Sequence, residues 1–207
     1  MSPLLRISAI LLWFTLAACT SLEPAAPVGS TDFQANQRTL LAHQEWSLKG
    51  RLSIKQGRQP DTFALNWQQQ IRDFDITLRG TLGIGSIRVY GSDHGVTMEK
   101  SGEQPVQLPN LEALTKDYLN FEFPAAYLLY WVRGLPVPNV VATTEFDANS
   151  RLSSLSQRDS KSRVWQLSFD RYSQVRDAVL PGRIKLATGD VQLTFLVDQW
   201  QLNAAAP

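Results

Sequence analysis

The chain has 207 residues, of which 43% are hydrophobic and 19% charged, enough apolar material for one sizeable core and too little charge for a disordered protein. Its 20 Lys and Arg residues against 19 Asp and Glu residues give a net charge of +1, so the basic excess typical of nucleic-acid-binding proteins is absent. With one cysteine and two histidines, the chain cannot form an internal disulfide and has little material for a metal site or for histidine-based catalysis; we expect neither a cofactor nor a nucleic-acid partner.

The amino terminus has the features of a secretory signal. Arg6 precedes an apolar stretch, Ile7–Leu16, that is shorter than the about 20 residues a helix needs to cross a bilayer. The following Leu16-Ala17-Ala18-Cys19 resembles the bacterial lipobox, in which the signal is cleaved before a lipidated cysteine. The alternative is an ordinary cleaved signal that happens to contain a cysteine. We predict a signal peptide over residues 1–18 and a lipidated tether over residues 19–30, with Cys19 as the anchor. By resemblance to enterobacterial sorting rules, Thr20, where Asp would retain the protein, implies export to the outer membrane.

The first part of the body changes from a helical to a strand pattern. Thr31–Glu45 fits an amphipathic helix, and from Trp46 to Ile54 apolar and polar residues alternate. The alternation recurs in Phe63–Trp67, in Phe74–Leu78, and on both sides of the glycine-bounded turn Gly91–Gly95. This pattern predicts an antiparallel meander with one wet and one dry face.

The second part begins with helical segments and returns to strands. Asn110–Asn120 predicts a helix capped by Asn110, and Phe123–Arg133 predicts another with Pro124 in its first turn and Gly134 at its end. The segment from Leu135 to Pro138 excludes regular structure. Strands are predicted at Thr143–Asp147, Leu152–Arg158, Val164–Phe169, Arg183–Ala187 and Val191–Trp200. The expected fold class is mainly β with α: a single curled antiparallel sheet of about eleven strands with about three helices on its dry face.

The dry face is rich in aromatic side chains, among them Trp46, Phe63, Trp67, Phe74, Trp165, Phe169 and Phe195. One interpretation is a packed core, because large aromatic rings bury well. The other is a cavity, if three short helices do not fill the inside of so large a sheet. Periodicity alone leaves both open.

The sequence lacks the usual motifs of hydrolases and of nucleotide-binding proteins. Neither Gly-x-Ser-x-Gly nor Gly-x-x-x-x-Gly-Lys-[Ser/Thr] occurs. Ser92, Asp93 and His94 are adjacent within one turn, whereas a catalytic triad needs groups that converge from separate elements. We interpret this segment as a hairpin turn and expect no enzymatic activity.

The connection Arg79–Gly85 combines three glycines with Leu82 and Ile84, where polar residues are usual. Either both apolar side chains fold back onto the core, or they form an exposed apolar tip. A buried leucine gains only about 1.5–3 kcal/mol, too little to anchor a protein but enough to perturb a lipid layer.

Several motifs occur together in a characteristic order. They are the lipobox Cys19, Trp46 with Gly50-Arg51, Trp67-Gln68-Gln69, Thr81-Leu82-Gly83, Trp131-Val132-Arg133-Gly134-Leu135-Pro136, and Leu180-Pro181 through Trp200. On these motifs the mature chain resembles the LolB family of outer-membrane lipoprotein receptors of Gram-negative bacteria.

The resemblance implies an unclosed β-barrel whose helical lid covers an apolar cavity for the acyl chains of lipoproteins. It implies that the chain takes acylated lipoproteins from the periplasmic carrier LolA and inserts them into the inner leaflet of the outer membrane. The family's protruding leucine corresponds to Leu82, and we expect Thr81, Leu82, Gly83 and Ile84 to form the membrane-insertion loop. Relatives can carry Asn-Pro where this chain has Gly80-Thr81.

We expect one half-barrel domain over residues 31–207, acting as a monomer on the periplasmic face of the outer membrane. The expected cavity lining is Trp46, Phe63, Leu65, Trp67, Phe74, Ile76, Trp165, Phe169 and Phe195. Two alternatives of other classes stay open: a structural lipoprotein of an envelope assembly complex with a packed core, and an enzyme acting on lipids through Ser92 or His94.

Overall fold

The structure, a computed structural model, describes residues 30–80, 85–119, 121 and 123–203. Within them are three helices: α1 Ser30–Ala42, α2 Leu111–Leu119 and α3 Ala125–Trp131. The first strands are β1 Glu45–Gln56, β2 Pro60–Gln70, β3 Asp73–Gly80, β4 Ser86–Ser92, β5 Gly95–Lys100 and β6 Val106–Leu108. The later strands are β7 Ala142–Phe146, β8 Leu152–Arg158, β9 Val164–Asp170, β10 Ser173–Val175, β11 Ala178–Leu180, β12 Arg183–Thr188 and β13 Val191–Leu202.

Eleven of these strands form one antiparallel sheet in the order β6-β5-β4-β3-β2-β1-β13-β12-β9-β8-β7, while β10 and β11 pair separately. The sheet is unclosed, because β6 and β7 are its two edges. The predicted fold class, a single antiparallel sheet of about eleven strands with three helices, is confirmed.

The antiparallel order places successive connections at opposite ends of the sheet. We call the end with the connections β1–β2, β3–β4, β5–β6, β8–β9 and β12–β13 the lower end. The upper end carries the connections β2–β3, β4–β5 and β7–β8.

The strand β1 shows how the sequence pattern forms the sheet. Trp46, Leu48 and Leu52 are buried on the concave face, while Lys49 and Arg51 are exposed on the convex face. The register against β13 shifts between Lys49 and Gly50. A Cβ atom at position 50 would collide with the carbonyl oxygen of Leu196, so glycine permits this close strand crossing.

The two edge strands are joined by the chain segment that contains α2 and α3. The predicted cap of α2 is confirmed, since Asn110 Oδ1 accepts a hydrogen bond from the Ala113 amide at 2.8 Å. Helix α3 is shorter than predicted: Pro124 precedes it, and Gly134, with φ +73°, donates its amide to the Trp131 carbonyl 3.0 Å away.

Sequence periodicity missed three strands and also placed the end of α1 too late in the chain. The missed strands β6, β10 and β11 have three residues each, too few to show alternation. Helix α1 ends at Ala42 rather than Glu45, because Glu45 and Trp46 already pair with Gln70 and Gln69 of β2.

The most tightly packed part of the core lies under β8, β9 and β12. Trp131, Trp165, Ile184 and Leu186 are completely buried there. A smaller cluster of Val89, Val96 and Met98 lies under β4 and β5, near the β6 edge. An apolar cavity lies between these two clusters.

Candidate functional site

An apolar cavity lies between the concave face of the sheet and the segment containing α2 and α3. It contains about 880 Å³ of empty space, part of it open to solvent. The strands supply Leu52, Ile54, Gln56, Leu65, Trp67, Ile76, Leu78, Val89, Val191, Leu193 and Phe195. The covering segment supplies Leu111, Leu114, Thr115, Phe121, Phe123, Ala125 and Leu128. Among these described residues none is charged, so the cavity suits an apolar ligand.

Two polar residues line this cavity, Gln56 and Thr115. The hydroxyl of Thr115 donates to the Glu112 carbonyl at 3.0 Å and accepts from the Phe123 amide at 3.1 Å. This side chain therefore holds the segment after α2 in place rather than offering a polar group to a ligand. Gln56 lies at the end of β1, so the polar contribution is confined to the lower end of the sheet.

A second pocket of about 960 Å³ opens toward the upper end and shares Trp67, Ile76, Leu111, Ala125 and Leu128 with the first. Its rim is polar, with Gln69, Arg72, Ser92, Asp93, Asn110 and Glu112. The two pockets are therefore neighbours, and the second has a polar rim at the upper end. We call this rim the mouth.

The mouth is organised by contacts between the sheet and the helices. Gln69 is buried, accepts from Trp67 Nε1 at 3.4 Å and donates to the Ile71 carbonyl at 3.2 Å. Glu112 of α2 accepts from the Ala126 amide in the first turn of α3 at 3.3 Å. These contacts fix the relative positions of α2, α3 and the β2–β3 connection around the opening.

The structure brings four of the nine expected lining residues together in the cavity. Leu65, Trp67, Ile76 and Phe195 line it, and Phe74 lies in the wall of the mouth. Phe63 is half-buried at the lower end of the concave face, opposite Leu52 and beside Gly80.

The other three expected residues, Trp46, Trp165 and Phe169, lie in the packed core. Trp46 packs against Trp67 and Trp200, with ring centroids 5.0 and 5.7 Å apart. Phe169 is 4% exposed and sits opposite Ile184 of β12.

Trp165 packs edge-to-face against two aromatic rings of the covering segment. Its ring centroid is 4.9 Å from Phe123 and 6.0 Å from Phe121, both of which line the cavity. It also packs at 5.6 Å against Trp131, and its Nε1 donates to Asp159 at 3.1 Å. Trp165 therefore positions two lining rings without itself facing the empty space.

Two buried polar residues attach the covering segment to the rest of the fold. Arg133 donates to the Leu129, Leu40 and His43 carbonyls at 2.9, 2.8 and 3.2 Å, joining α3 to α1. Burial lowers the pKa of Arg133 to about 10, so the guanidinium remains charged at neutral pH. The second residue is Gln157 of β8, whose side chain binds Trp131 and the segment that follows α3.

Sequence reasoning missed most of the cavity's aliphatic lining. The alternating positions that predicted the dry face also include the aliphatic residues Leu52, Ile54, Leu78, Val89 and Leu193. The predicted lining consisted mainly of the aromatic residues of that face and did not include these five. The lining from the covering segment was recognisable as the apolar faces of the two predicted helices. Which of these side chains faces empty space depends on where the helices lie across the sheet, and periodicity does not contain that information.

The predicted insertion loop and lipidation site lie outside the described residues. Positions Thr81, Leu82, Gly83, Ile84 and Cys19 belong to segments that the structure does not describe. The ends of the loop are described: the Gly80 amide donates to the Gly85 carbonyl at 3.3 Å, at the lower end of the sheet.

The turn with Ser92, Asp93 and His94 joins β4 to β5, so the predicted hairpin is confirmed. Ser92 Oγ accepts a hydrogen bond from the His94 backbone amide at 3.1 Å, and the His94 side chain is 81% exposed. Among the described residues, no group of three or more His, Asp and Glu side chains is placed to hold a metal ion. No helix within the described residues is both long and apolar enough to cross a bilayer.

Comparison with known proteins relates the sequence to a family of outer-membrane lipoproteins. Residues 44–200 match a family model described as "Outer membrane lipoprotein LolB". The outer-membrane lipoprotein LolB of Stutzerimonas stutzeri is 33% identical over 205 residues, covering 97% of each chain. That of Pseudomonas aeruginosa is 32% identical over 198 residues, covering 95% of this chain and 94% of the relative. The protein of Cellvibrio japonicus is 31% identical over 208 residues, covering 98% and 99%.

Two solved structures share the architecture. A LolA superfamily protein from Nitrosomonas europaea superposes with a TM-score of 0.53 over 86% of this chain and 95% of its own, at 8% identity. An outer-membrane lipoprotein-sorting protein domain from Vibrio parahaemolyticus also gives 0.53 at 8% identity, over 86% and 92%. At such low identity the likeness concerns the fold alone.

Proposed function

The chain belongs to the LolB family of outer-membrane lipoproteins, and on that premise we propose that it receives lipoproteins from a LolA-like periplasmic carrier and inserts them into the outer membrane. Family membership itself gives the chain a role in outer-membrane lipoprotein localisation. The finer steps, which are capture of the acyl chains in the cavity and release into the inner leaflet, are our proposal.

The observation that carries the proposal is the uncharged lining of the cavity. An acyl chain has no groups that form hydrogen bonds along its length, and each methylene removed from water contributes about 0.8 kcal/mol. The cavity is lined on both sides, by strands of the sheet and by the segment containing α2 and α3. Its lining supplies apolar contacts and leaves no buried charge for the ligand to compensate.

The polar mouth is suited to the other part of the cargo. The linkage between acyl chains and polypeptide contains ester and amide groups, which need polar partners or water. Asn110, Ser92 and Arg72 provide such partners at the upper opening. We therefore place the acyl chains in the cavity and the polypeptide of the cargo outside the mouth.

The proposal assigns two further roles to residues outside the described part of the chain. Cys19 carries the lipid anchor, since several acyl chains bind a membrane far more firmly than the single chain that gives only marginal attachment. Leu82 enters the lipid layer during release. Transfer from carrier to cavity to bilayer needs no nucleotide if affinity rises at each step, and this chain has no P-loop motif.

Transfer of a labelled lipoprotein tests the proposal directly. The mature chain, residues 19–207 with Cys19→Ala, is mixed with a carrier loaded with labelled cargo, and the partners are separated by affinity capture. We expect the label to move to the chain, and Ile76→Trp, which fills the cavity, to reduce that transfer. If the chain is folded and the carrier is matched to it, but all the label stays on the carrier, the proposal is refuted. That result would favour a structural lipoprotein of an assembly complex.

A further inference from the structure

An exposed isoleucine lies on the rim of the mouth. Among the described residues three large apolar side chains are exposed: Leu41, Ile71 and Val141, with 41%, 62% and 91% of their surface accessible. Ile71 is the one of these three that lines the second pocket, beside the polar Gln69 and Arg72. A single exposed apolar residue needs no explanation by itself, so the conformation and the surroundings of Ile71 decide what it can do.

The backbone of Ile71 is strained. Gln70 pairs with Asp73, so Ile71 and Arg72 form a two-residue hairpin connection between β2 and β3. The common two-residue turns require a positive φ at the first of these positions, which favours glycine, asparagine or aspartate. Ile71 has a φ of +48° there, a conformation that is unfavourable for a β-branched residue. Glycine or asparagine would form the same turn with less strain, so the turn by itself does not explain the isoleucine.

Contacts with the cavity wall hold this residue in place. The Ile71 carbonyl accepts a hydrogen bond from Gln69 Nε2 at 3.2 Å, and Gln69 Oε1 accepts one from Trp67 Nε1 at 3.4 Å. Gln69 and Trp67 are both buried, and Trp67 lines the cavity. Strained residues persist where neighbouring contacts fix them, and they are concentrated at sites that bind ligands. The turn thus holds Ile71 at a fixed place relative to the cavity wall.

The surroundings of Ile71 indicate which ligand it contacts. Behind the rim, the walls of the second pocket are apolar and include Leu128 and Leu129 of the covering segment. Five of the wall residues also line the cavity. An acyl chain that enters through the mouth crosses a rim of amide, hydroxyl and charged groups, which offer it no apolar contact. Ile71 supplies an aliphatic surface at this crossing.

We propose that Ile71 is the entry contact for acyl chains: an aliphatic side chain, held on the polar rim, that an incoming chain touches before it reaches the cavity. The inference rests on the proposed capture of acylated cargo. It adds the residue that lowers the barrier to entry, and it gives a reason for a strained isoleucine at a turn position suited to glycine. Because the contact is made in passage, its loss slows entry and exit alike and changes the equilibrium affinity little.

Uptake of parinaric acid, a fluorescent fatty acid, tests this inference without a carrier. The mature chain with Cys19→Ala is mixed with the probe by stopped flow, and the association and dissociation rate constants are measured together with the equilibrium affinity. Ile71→Asn removes the aliphatic group and suits the positive φ. This variant should lower both rate constants about fivefold and keep the affinity within about twofold. Its thermal unfolding temperature should be no lower than that of the wild type, because the strain is relieved.

Three further variants separate the side chain of Ile71 from its backbone. Ile71→Gly relieves the strain and also lacks the aliphatic group, so it should slow uptake as Ile71→Asn does. Ile71→Leu keeps an aliphatic group and should retain the wild-type rates. Val141→Asn is the matched control, because it removes an exposed β-branched residue that lines neither pocket, and it should change neither rate. Wild-type rates in Ile71→Asn and Ile71→Gly, or an equal slowing in Val141→Asn, would overturn the proposal.

Measurements with the carrier separate this inference from the proposed function. If Ile71→Asn binds the unloaded carrier more weakly but takes up the fatty acid at the wild-type rate, the residue contacts the carrier and the assignment to acyl chains is wrong. If fatty-acid uptake depends on Ile71 as described but the wild type captures no cargo from the loaded carrier, the proposed function fails while the entry contact stands. If Ile71→Asn captures cargo as fast as the wild type, the proposed function stands and the entry contact fails.

Discussion

Nε1 of Trp131 donates a hydrogen bond to Oε1 of Gln157 at 2.9 Å, joining the last residue of α3 to strand β8. The same Oε1 accepts from the Val137 amide at 2.9 Å, and Nε2 donates to the Val137 and Val140 carbonyls at 3.2 and 3.1 Å. One buried glutamine therefore holds both the end of the covering helix and the chain that leaves it. The cavity is covered by a segment whose attachment depends on this side chain.

We expect Gln157→Leu to lower the free energy of unfolding by about 2 to 4 kcal/mol, because it leaves several buried polar groups without partners. Urea denaturation followed by tryptophan fluorescence measures the change. Gln166→Leu is the control, since the Gln166 side chain is exposed and donates to the Ser156 hydroxyl at 3.2 Å. It should change stability by no more than about 0.5 kcal/mol. Equal losses in the two variants would contradict the assigned role.

Filling the cavity should reduce its capacity for apolar ligands. Ile76→Trp places an indole in the space, whereas Thr77→Trp adds the same group at the next position, on the convex face. We expect the first variant to bind an apolar fluorescent probe about tenfold more weakly at a cost of about 1–3 kcal/mol in stability, and the second to bind it normally. Equal probe affinities would show that the probe binds elsewhere.

Leu82→Glu should separate capture from delivery. A carboxylate is costly to place in an apolar medium, so the variant should accept cargo from the carrier but fail to release it into vesicles. Leu41→Glu, on an exposed leucine of α1, should release cargo normally. The measurement is the fraction of labelled lipoprotein that floats with vesicles, and normal delivery by Leu82→Glu would remove the loop from the release step.

Protonation of Asp159 at low pH should lower the free energy of unfolding. Burial by itself raises the pKa of this carboxyl, but hydrogen bonds from the Trp165 indole and from the Arg163 backbone and side chain lower it overall. A lowered folded-state pKa contributes stability that is present above the unfolded value of about 3.9 and is lost as pH falls through the folded value. Asp159→Asn should therefore lower the free energy of unfolding by about 1–2 kcal/mol at pH 7, with a deficit that shrinks in acid.

The chain contains a natural control for this prediction. Asp147 and Arg151 in the β7–β8 connection repeat the arrangement of Asp159 and Arg163, and both loops have a serine with positive φ just before the arginine. The Asp147 side chain is 30% exposed, whereas that of Asp159 is completely buried. Asp147→Asn should therefore cost less, and denaturation at pH 7 and pH 3 compares the two. A larger cost for Asp147→Asn would contradict the dependence on burial.

The sequence predicted the architecture well because alternation is a strong local signal. In β1, Trp46 to Ile54 alternate between faces, and the same is true of β2 and β3. The antiparallel meander was predicted from these strands, whereas the pairing of β1 with β13, the last strand of the chain, has no local signal in the sequence. The repeated Asp-x-x-Ser-Arg pattern of residues 147–151 and 159–163 was overlooked, although it was visible as two identical spacings twelve residues apart.

The site was harder to predict than the fold. Trp46, Trp165 and Phe195 are equivalent by alternation, yet only Phe195 faces the cavity. What distinguishes them is the position of α2 and α3, which depends on tertiary contacts such as Arg133 to Leu40 and Glu112 to Ala126. Alternation along a strand shows which side chains lie on the dry face of the sheet. A cavity forms only where the side chains of the sheet and of the covering segment do not fill the space between them.

The segment that covers the cavity is also the connection between the sheet's two edge strands, β6 and β7. Its length and side-chain volumes can therefore vary among related chains without changing the register of any strand pair. Insertions or smaller residues between positions 109 and 141 would enlarge the cavity, and deletions or larger ones would shrink it. Cargo capacity can thus evolve independently of the scaffold, by changes confined to a single stretch of sequence.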